Sequence, residues 1–104
     1  MNNPVKWEIW LAKVKFEDQP KVTKTRPVLV IDKQMGYVIS LKITSHPPRN
    51  NFEKEYEIIG WKQAGLDKVS TIRASKILKM KDKDFVHKIG RLGAADIINL
   101  RKIL

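Results

Sequence analysis

The chain has 104 residues, 42% hydrophobic and 31% charged, the proportions of a globular protein with a single core, read as one domain over residues 1–104. It has no cysteine, which excludes a disulfide framework and any thiolate metal site. A balance of 21 Lys+Arg against 11 Asp+Glu leaves +10, which favours a polyanionic partner, nucleic acid first.

No uninterrupted apolar run is longer than Val28–Ile31, so no membrane span is expected. The opening MNNPVKWEIW lacks the charged-then-apolar layout of a secretory signal, and a cytoplasmic protein is the expectation. Trp7 to Phe16 alternates, with Trp10, Ala12, Val14 and Phe16 on one face, and predicts a strand with one buried side. Trp7 and Trp10 read as packing residues. Glu17 to Thr25 has no apolar period, contains Pro20 and reads as a long basic loop. Pro27 then starts a strand, and Val28–Ile31 suggests burial on both faces.

Asp32 to Gly36 reads as a turn. Tyr37 to Thr44 alternates again, with Tyr37, Ile39, Leu41 and Ile43 inward and Ser40, Lys42 and Thr44 outward. Ser45 to Lys54 is a second long loop stiffened by Pro47-Pro48, and Tyr56–Ile59 a short strand. Gly60 to Asp67 is a turn. Lys68 to Ala74 is a strand with Val69, Thr71, Arg73 and Ser75 on one face, continued after a bend by Ile77–Met80. Lys81–Asp84 is a charged turn, Phe85–Leu92 a last strand, and AADIINLRKIL a helix that must pack on the sheet, since ten or so residues are marginal alone. Short, closely spaced strands with one C-terminal helix predict a small, strongly bent antiparallel barrel.

Read alone, Thr44 is an ordinary strand residue at a strand end. His46 follows directly and offers an imidazole, the natural proton carrier near neutral pH; its alternative is a solvated loop histidine. His87 sits among alternating strand residues, where packing is expected. Lys21, Lys24, Arg49, Lys68 and Arg73 are candidates for a phosphate track, and Tyr37, Phe52 and Trp61 are aromatics that read as packing before base stacking. Two isolated histidines and scattered carboxylates show no metal-ligand spacing, so neither metal nor other cofactor is expected.

The order of these blocks resembles the PemK/MazF family of toxins from bacterial toxin–antitoxin systems. The resemblance covers nearly the whole chain. It rests on KVKFED at the end of the first strand, TRPVLVI after a basic loop, KITS at a strand end, and STIRASKIL followed by KIGRLGAADI before the helix. It implies a mainly β, SH3-like antiparallel barrel with a C-terminal helix, the fold shared with CcdB. It also implies a homodimer and a metal-independent, sequence-specific endoribonuclease that cuts single-stranded RNA by attack of the RNA's own 2′-hydroxyl.

Carried over by motif, the family's usual catalytic arginine and threonine fall on Arg26 and Thr44. An arginine that helps bind RNA in some members falls on Arg73. The aspartate that often stands two residues later is replaced here by Ser75. The catalytic set expected is Arg26, Thr44 and His46. The RNA contacts expected are Lys24, Ser45, Arg49, Thr71, Arg73 and Ser75. An acidic antitoxin whose extended segment covers the basic groove is the implied protein partner. A gyrase poison of the CcdB type is disfavoured, because those proteins rely on a tryptophan near the C-terminus and the last tryptophan here is Trp61. A non-catalytic nucleic-acid- or protein-binding barrel of the same fold is the alternative to the enzyme.

Overall fold

The computed structural model describes residues 2–15, 22–49 and 54–104. The described elements are β1 (Glu8–Lys15), β2 (Thr23–Gln34), β3 (Tyr37–Thr44), β4 (Glu55–Glu57), β5 (Thr71–Met80), β6 (Phe85–Arg91) and α1 (Ala94–Arg101), with a 3-10 turn at Asp82–Asp84. All strand pairs are antiparallel, in one sheet of order β4-β5-β3-β2-β1-β6. The mainly β architecture with a C-terminal helix is the one expected. Among the described residues the barrel is not closed by hydrogen bonds, because β4 and β6 are sheet edges. Backbone packing closes it instead. The turn after β4 lies against β6 so tightly that a Cβ on Gly90 would collide with the Ala64 carbonyl, and one on Gly65 would meet the Ile89 carbonyl at 2.5 Å.

Both faces of the central strands are buried, which is why Val28, Leu29 and Val30 are wholly inaccessible. Leu29, Leu41, Ile43 and Ile72 join Ile58, Leu66, Leu92 and Leu100 in one core under the helix and the 60–66 turn. Trp10, Ala12, Val14, Val28, Val30, Val38, Met80 and Phe85 form a second core on the other side. Trp10 packs its edge on Phe85 at 6.0 Å between centroids, and Trp7 packs partly buried on the first core, as their reading predicts. Phe16, assigned to the buried face of the first strand, lies outside the described residues.

Several boundaries differ from the pattern reading. β2 begins at Thr23, so Thr23–Thr25 is strand and Pro27 is interior to it rather than its first residue. β1 organises this extension, pairing Lys15 with Thr23 through to Leu11 with Pro27. The ladder to β3 starts only at Val28, which leaves Pro27 beyond it. The expected Asp32–Gly36 turn contracts to Met35–Gly36, both with positive φ (48° and 85°), the two-residue connection whose twist matches a hairpin. Ser40, assigned to a polar face, is buried because the second core covers that side of β3. Lys68–Ser70 is not strand, and β5 spans Thr71 to Met80 with a bulge at Ala74–Lys76, next to the expected bend before Ile77. His87 is exposed on edge strand β6 rather than packed.

Candidate active site

A cleft of about 720 Å³ opens where β2 begins, β3 ends and the 65–70 segment crosses. Arg26 reaches it from β2, Thr44 from the last position of β3, and Arg73 from β5; Ser45, His46, Lys42 and Lys68 also line it. Its apolar lining includes Leu11, Pro27, Ile43, Leu66 and Ile89. The register explains the convergence. Val28 pairs with Lys42, and Arg26 and Thr44 each lie two residues beyond that last pair, where both line the cleft. On its other side Thr44 pairs with Thr71, and Lys42 pairs with Arg73.

The local bonds leave defined groups facing the cleft. The His46 backbone N–H donates to Thr44 Oγ1 at 3.3 Å, which uses an acceptor position and leaves the threonine's own proton to donate outward. Arg26 is exposed and donates one bond to the Thr25 carbonyl at 3.2 Å. Arg73 is half-buried, and its Nε donates to Glu55 Oε2 at 3.2 Å. The cationic lining of Arg26, Lys42, Lys68 and Arg73 outweighs Asp67, the carboxylate that shares the cleft. Such a site attracts phosphate oxygens, and the guanidiniums offer them rigid forks of donors. Among the described residues no group of three or more His, Asp or Glu side chains is placed to hold a metal ion.

A family model described as PemK-like, MazF-like toxin of type II toxin–antitoxin systems matches residues 6–104. The chain belongs to this family. Solved structures with the same fold include the Mycobacterium tuberculosis toxin MazF-mt6, at TM-score 0.72 and 21% identity, covering 92% of this chain and 90% of that one. They also include an endoribonuclease from mycobacterial species, at TM-score 0.73 and 13% identity, covering 100% of this chain and 89% of that one. A search of curated protein sequences gave no significant match.

In this PemK-like toxin the cleft gathers Arg26, Thr44, Ser45, His46 and Arg73 from the expected set. Lys24, Arg49, Thr71 and Ser75 do not line it. Thr71, an expected RNA contact, is fully buried opposite Thr44, its partner in the β3–β5 ladder. Ser75 is exposed, but it sits in a bulge. Leu41 pairs with Ile77 and the next residue, Lys42, with Arg73, so three residues of β5 have no β3 counterpart and the shared face of Thr71, Arg73 and Ser75 is broken. Lys21 and Phe52 lie outside the described residues. Tyr37 borders a separate groove of about 470 Å³ with Lys13, Lys15, Lys79, Lys81 and Lys83, and Trp61 packs on the first core.

Two features of the site were not anticipated. Glu55 holds both Arg49 and Arg73, from 6 and 18 residues away, separations that no short motif records. Asp96, at the start of α1, is 2% exposed and accepts bonds from Tyr56 Oη and the N–H groups of Ile59 and Gly60, fixing the turn that leads into the cleft wall. Burial, reinforced by the bond to Asp96, pushes the Tyr56 hydroxyl above the ordinary phenol range. Among the described residues no helix is long and apolar enough to cross a membrane.

Proposed function

We propose that this toxin is a metal-independent, sequence-specific endoribonuclease that cuts single-stranded RNA, with Arg26 and Thr44 at the reacting phosphate. The supporting observation is the convergence of Arg26, Thr44 and Arg73, from three different strands, on one cationic cleft. The RNA's 2′-oxygen attacks the adjacent phosphorus and the 5′-oxygen leaves. The products are a 2′,3′-cyclic phosphate and a 5′-hydroxyl. One proton departs from the 2′-hydroxyl and one must reach the 5′-oxygen.

The pentacoordinate intermediate carries extra negative charge on its non-bridging oxygens. Arg26 supplies a forked, permanently charged donor to those oxygens, and Thr44 Oγ1–H supplies a second. Arginine stays protonated in proteins, so Arg26 serves as clamp and not as base. His46, exposed at the mouth of the cleft beside Thr44, is the proton carrier in this reading. Ser45 and Arg73 hold the flanking phosphates. Lys24 and Arg49, outside the cleft, extend the track, as does the exposed Ser75.

In the same reading the toxin works in the cytoplasm as a homodimer, and an acidic antitoxin segment neutralises the cleft. Incubating pure protein with mixed-sequence RNA in excess chelator should give discrete fragments ending in cyclic phosphate. Intact RNA under those conditions, with salt-dependent binding retained, would assign the chain to the non-catalytic binding alternative.

A further inference from the structure

One carboxylate connects the two segments that bring hydroxyl and cationic groups to the cleft. Glu55 Oε1 accepts the backbone N–H of Arg49 at 3.0 Å, and Oε2 accepts Arg49 Nη2 at 2.8 Å. The same Oε2 accepts Arg73 Nε at 3.2 Å. Arg49 ends the described part of the segment that leaves β3 through Thr44, Ser45 and His46. Arg73 is the residue of β5 that pairs with Glu55 itself.

The burial is uneven. The Glu55 side chain is 3% exposed, that of Arg73 19% and that of Arg49 40%. Glu55 thus lies beneath the two guanidiniums and presents them outward. β4 is only three residues long, on the edge of the sheet. Its neighbour Glu57 is exposed, as an edge-strand carboxylate ordinarily is. A buried acid here is costly unless paired, and it is paired to the residue that lines the cleft.

We infer that Glu55 is a positioning residue for RNA binding: by holding Nε it fixes Arg73 in the orientation that faces the cleft, and by holding Arg49 it anchors the segment after Thr44. The inference rests on the ribonuclease reading above. The physical reason is pre-organisation. A free arginine loses several rotatable bonds' worth of freedom when it grips phosphate, whereas one already held by its inner nitrogen loses less. Arg73 contributes in this way to substrate affinity more than to the chemical step.

The test compares wild type, Glu55→Gln, Arg73→Ala and the double variant on one cleavable RNA, with Glu57→Gln as control. Glu55→Gln keeps the shape and an acceptor but removes the charge. It should raise KM about tenfold and leave kcat within about twofold, the split expected of lost ground-state binding. On the Arg73→Ala background the same change should add clearly less than about tenfold, because of the two arginines it positions only Arg49 remains. Glu57→Gln should match wild type. Effects of Glu55→Gln that multiply fully with Arg73→Ala, or wild-type kinetics in Glu55→Gln, overturn the inference.

Wild-type protein gives a readout that does not depend on the variant folding. The Arg73 Nε–H signal in nitrogen-correlated NMR should be protected from solvent exchange and stay protected when RNA is added. Loss of that protection on RNA binding would make Glu55 a competitor of the phosphate and overturn the positioning role. If wild type neither binds nor cleaves RNA, the ribonuclease reading fails, an outcome distinct from an active wild type with an unaffected Glu55→Gln.

Discussion

Tyr56 Oη donates to Asp96 Oδ1 at 2.5 Å, joining strand β4 to the first turn of the C-terminal helix. The same carboxylate accepts Ile59 N at 2.9 Å and Gly60 N at 2.8 Å. A negative group at this end of a helix is also favoured by the helix dipole. Asp96→Ala leaves three part-buried donors without their acceptor and should cost on the order of 3 kcal/mol. For a domain of this size that is a fall in Tm of roughly 10–20 °C, measured by thermal unfolding. Tyr56→Phe, which removes one bond and keeps the ring, should cost about 1 kcal/mol. A melting curve for Asp96→Ala that overlays wild type would remove the anchoring role.

Arg26 and Thr44 separate function from stability. Arg26 is exposed, and its described bond is to the neighbouring Thr25 carbonyl, so Arg26→Ala should leave Tm almost unchanged. In the proposed reaction it removes the main donor to the developing charge, and cleavage should fall by about 10²–10³-fold. Arg26→Lys should recover only part of this, because an ammonium is a point charge without the fork. Thr44→Val keeps the shape and loses the hydroxyl, and should slow cleavage about tenfold or more. Wild-type rates in Arg26→Ala would move the chemistry elsewhere.

What the sequence revealed follows from how each element is stabilised. β3 was legible to its last residue because Leu41 and Ile43 alternate with Lys42 and Thr44, and that end positions Thr44. Val28–Val30 announced burial on both sides because three consecutive apolar residues have no polar face to offer. The start of β2 was not legible. Thr23–Arg26 is exposed and polar, and it is strand through backbone pairing with β1 rather than through any side-chain pattern. Ser75 parts from the face of Arg73 because period-two reasoning assumes an unbroken ladder, and the bulge across Ala74–Lys76 breaks it, whereas Thr71 stays in register opposite Thr44 but is buried. Glu55 gave no signal, since an acid among alternating charges looks like a solvated edge until its arginines are brought to it by the fold.

His46 tests the proton-transfer part of the proposal. An imidazole at this position, beside Thr44 at the mouth of the cleft, can carry a proton to or from the reacting oxygens. His46→Asn should lower kcat by about 10²-fold, with KM changed little. If the variant keeps the wild-type rate, His46 is a solvated loop residue and proton transfer belongs to another group or to water.

The acid side of the stability curve should depend on Glu8. Its Oε1 accepts Val5 N at 2.8 Å and Trp10 Nε1 at 3.0 Å, and its Oε2 meets Lys88 Nζ at 2.7 Å. Burial is the largest single influence and raises its pKa. The bonds from Lys88, Trp10 and Val5, with the charge of Lys88, together outweigh it and hold the carboxyl below its ordinary value of 4.5. A depressed carboxyl stabilises the fold fully above that ordinary value, and the contribution is lost as pH falls through the lower folded one. Wild type should therefore lose stability below pH 4.5 more steeply than Glu8→Gln, which has nothing there to protonate. At neutral pH Glu8→Ala should cost about 2 kcal/mol, because the buried indole N–H loses its acceptor. Denaturant unfolding across the acid range measures both, and parallel pH curves for wild type and Glu8→Gln would show that the carboxylate's charge contributes nothing to folding.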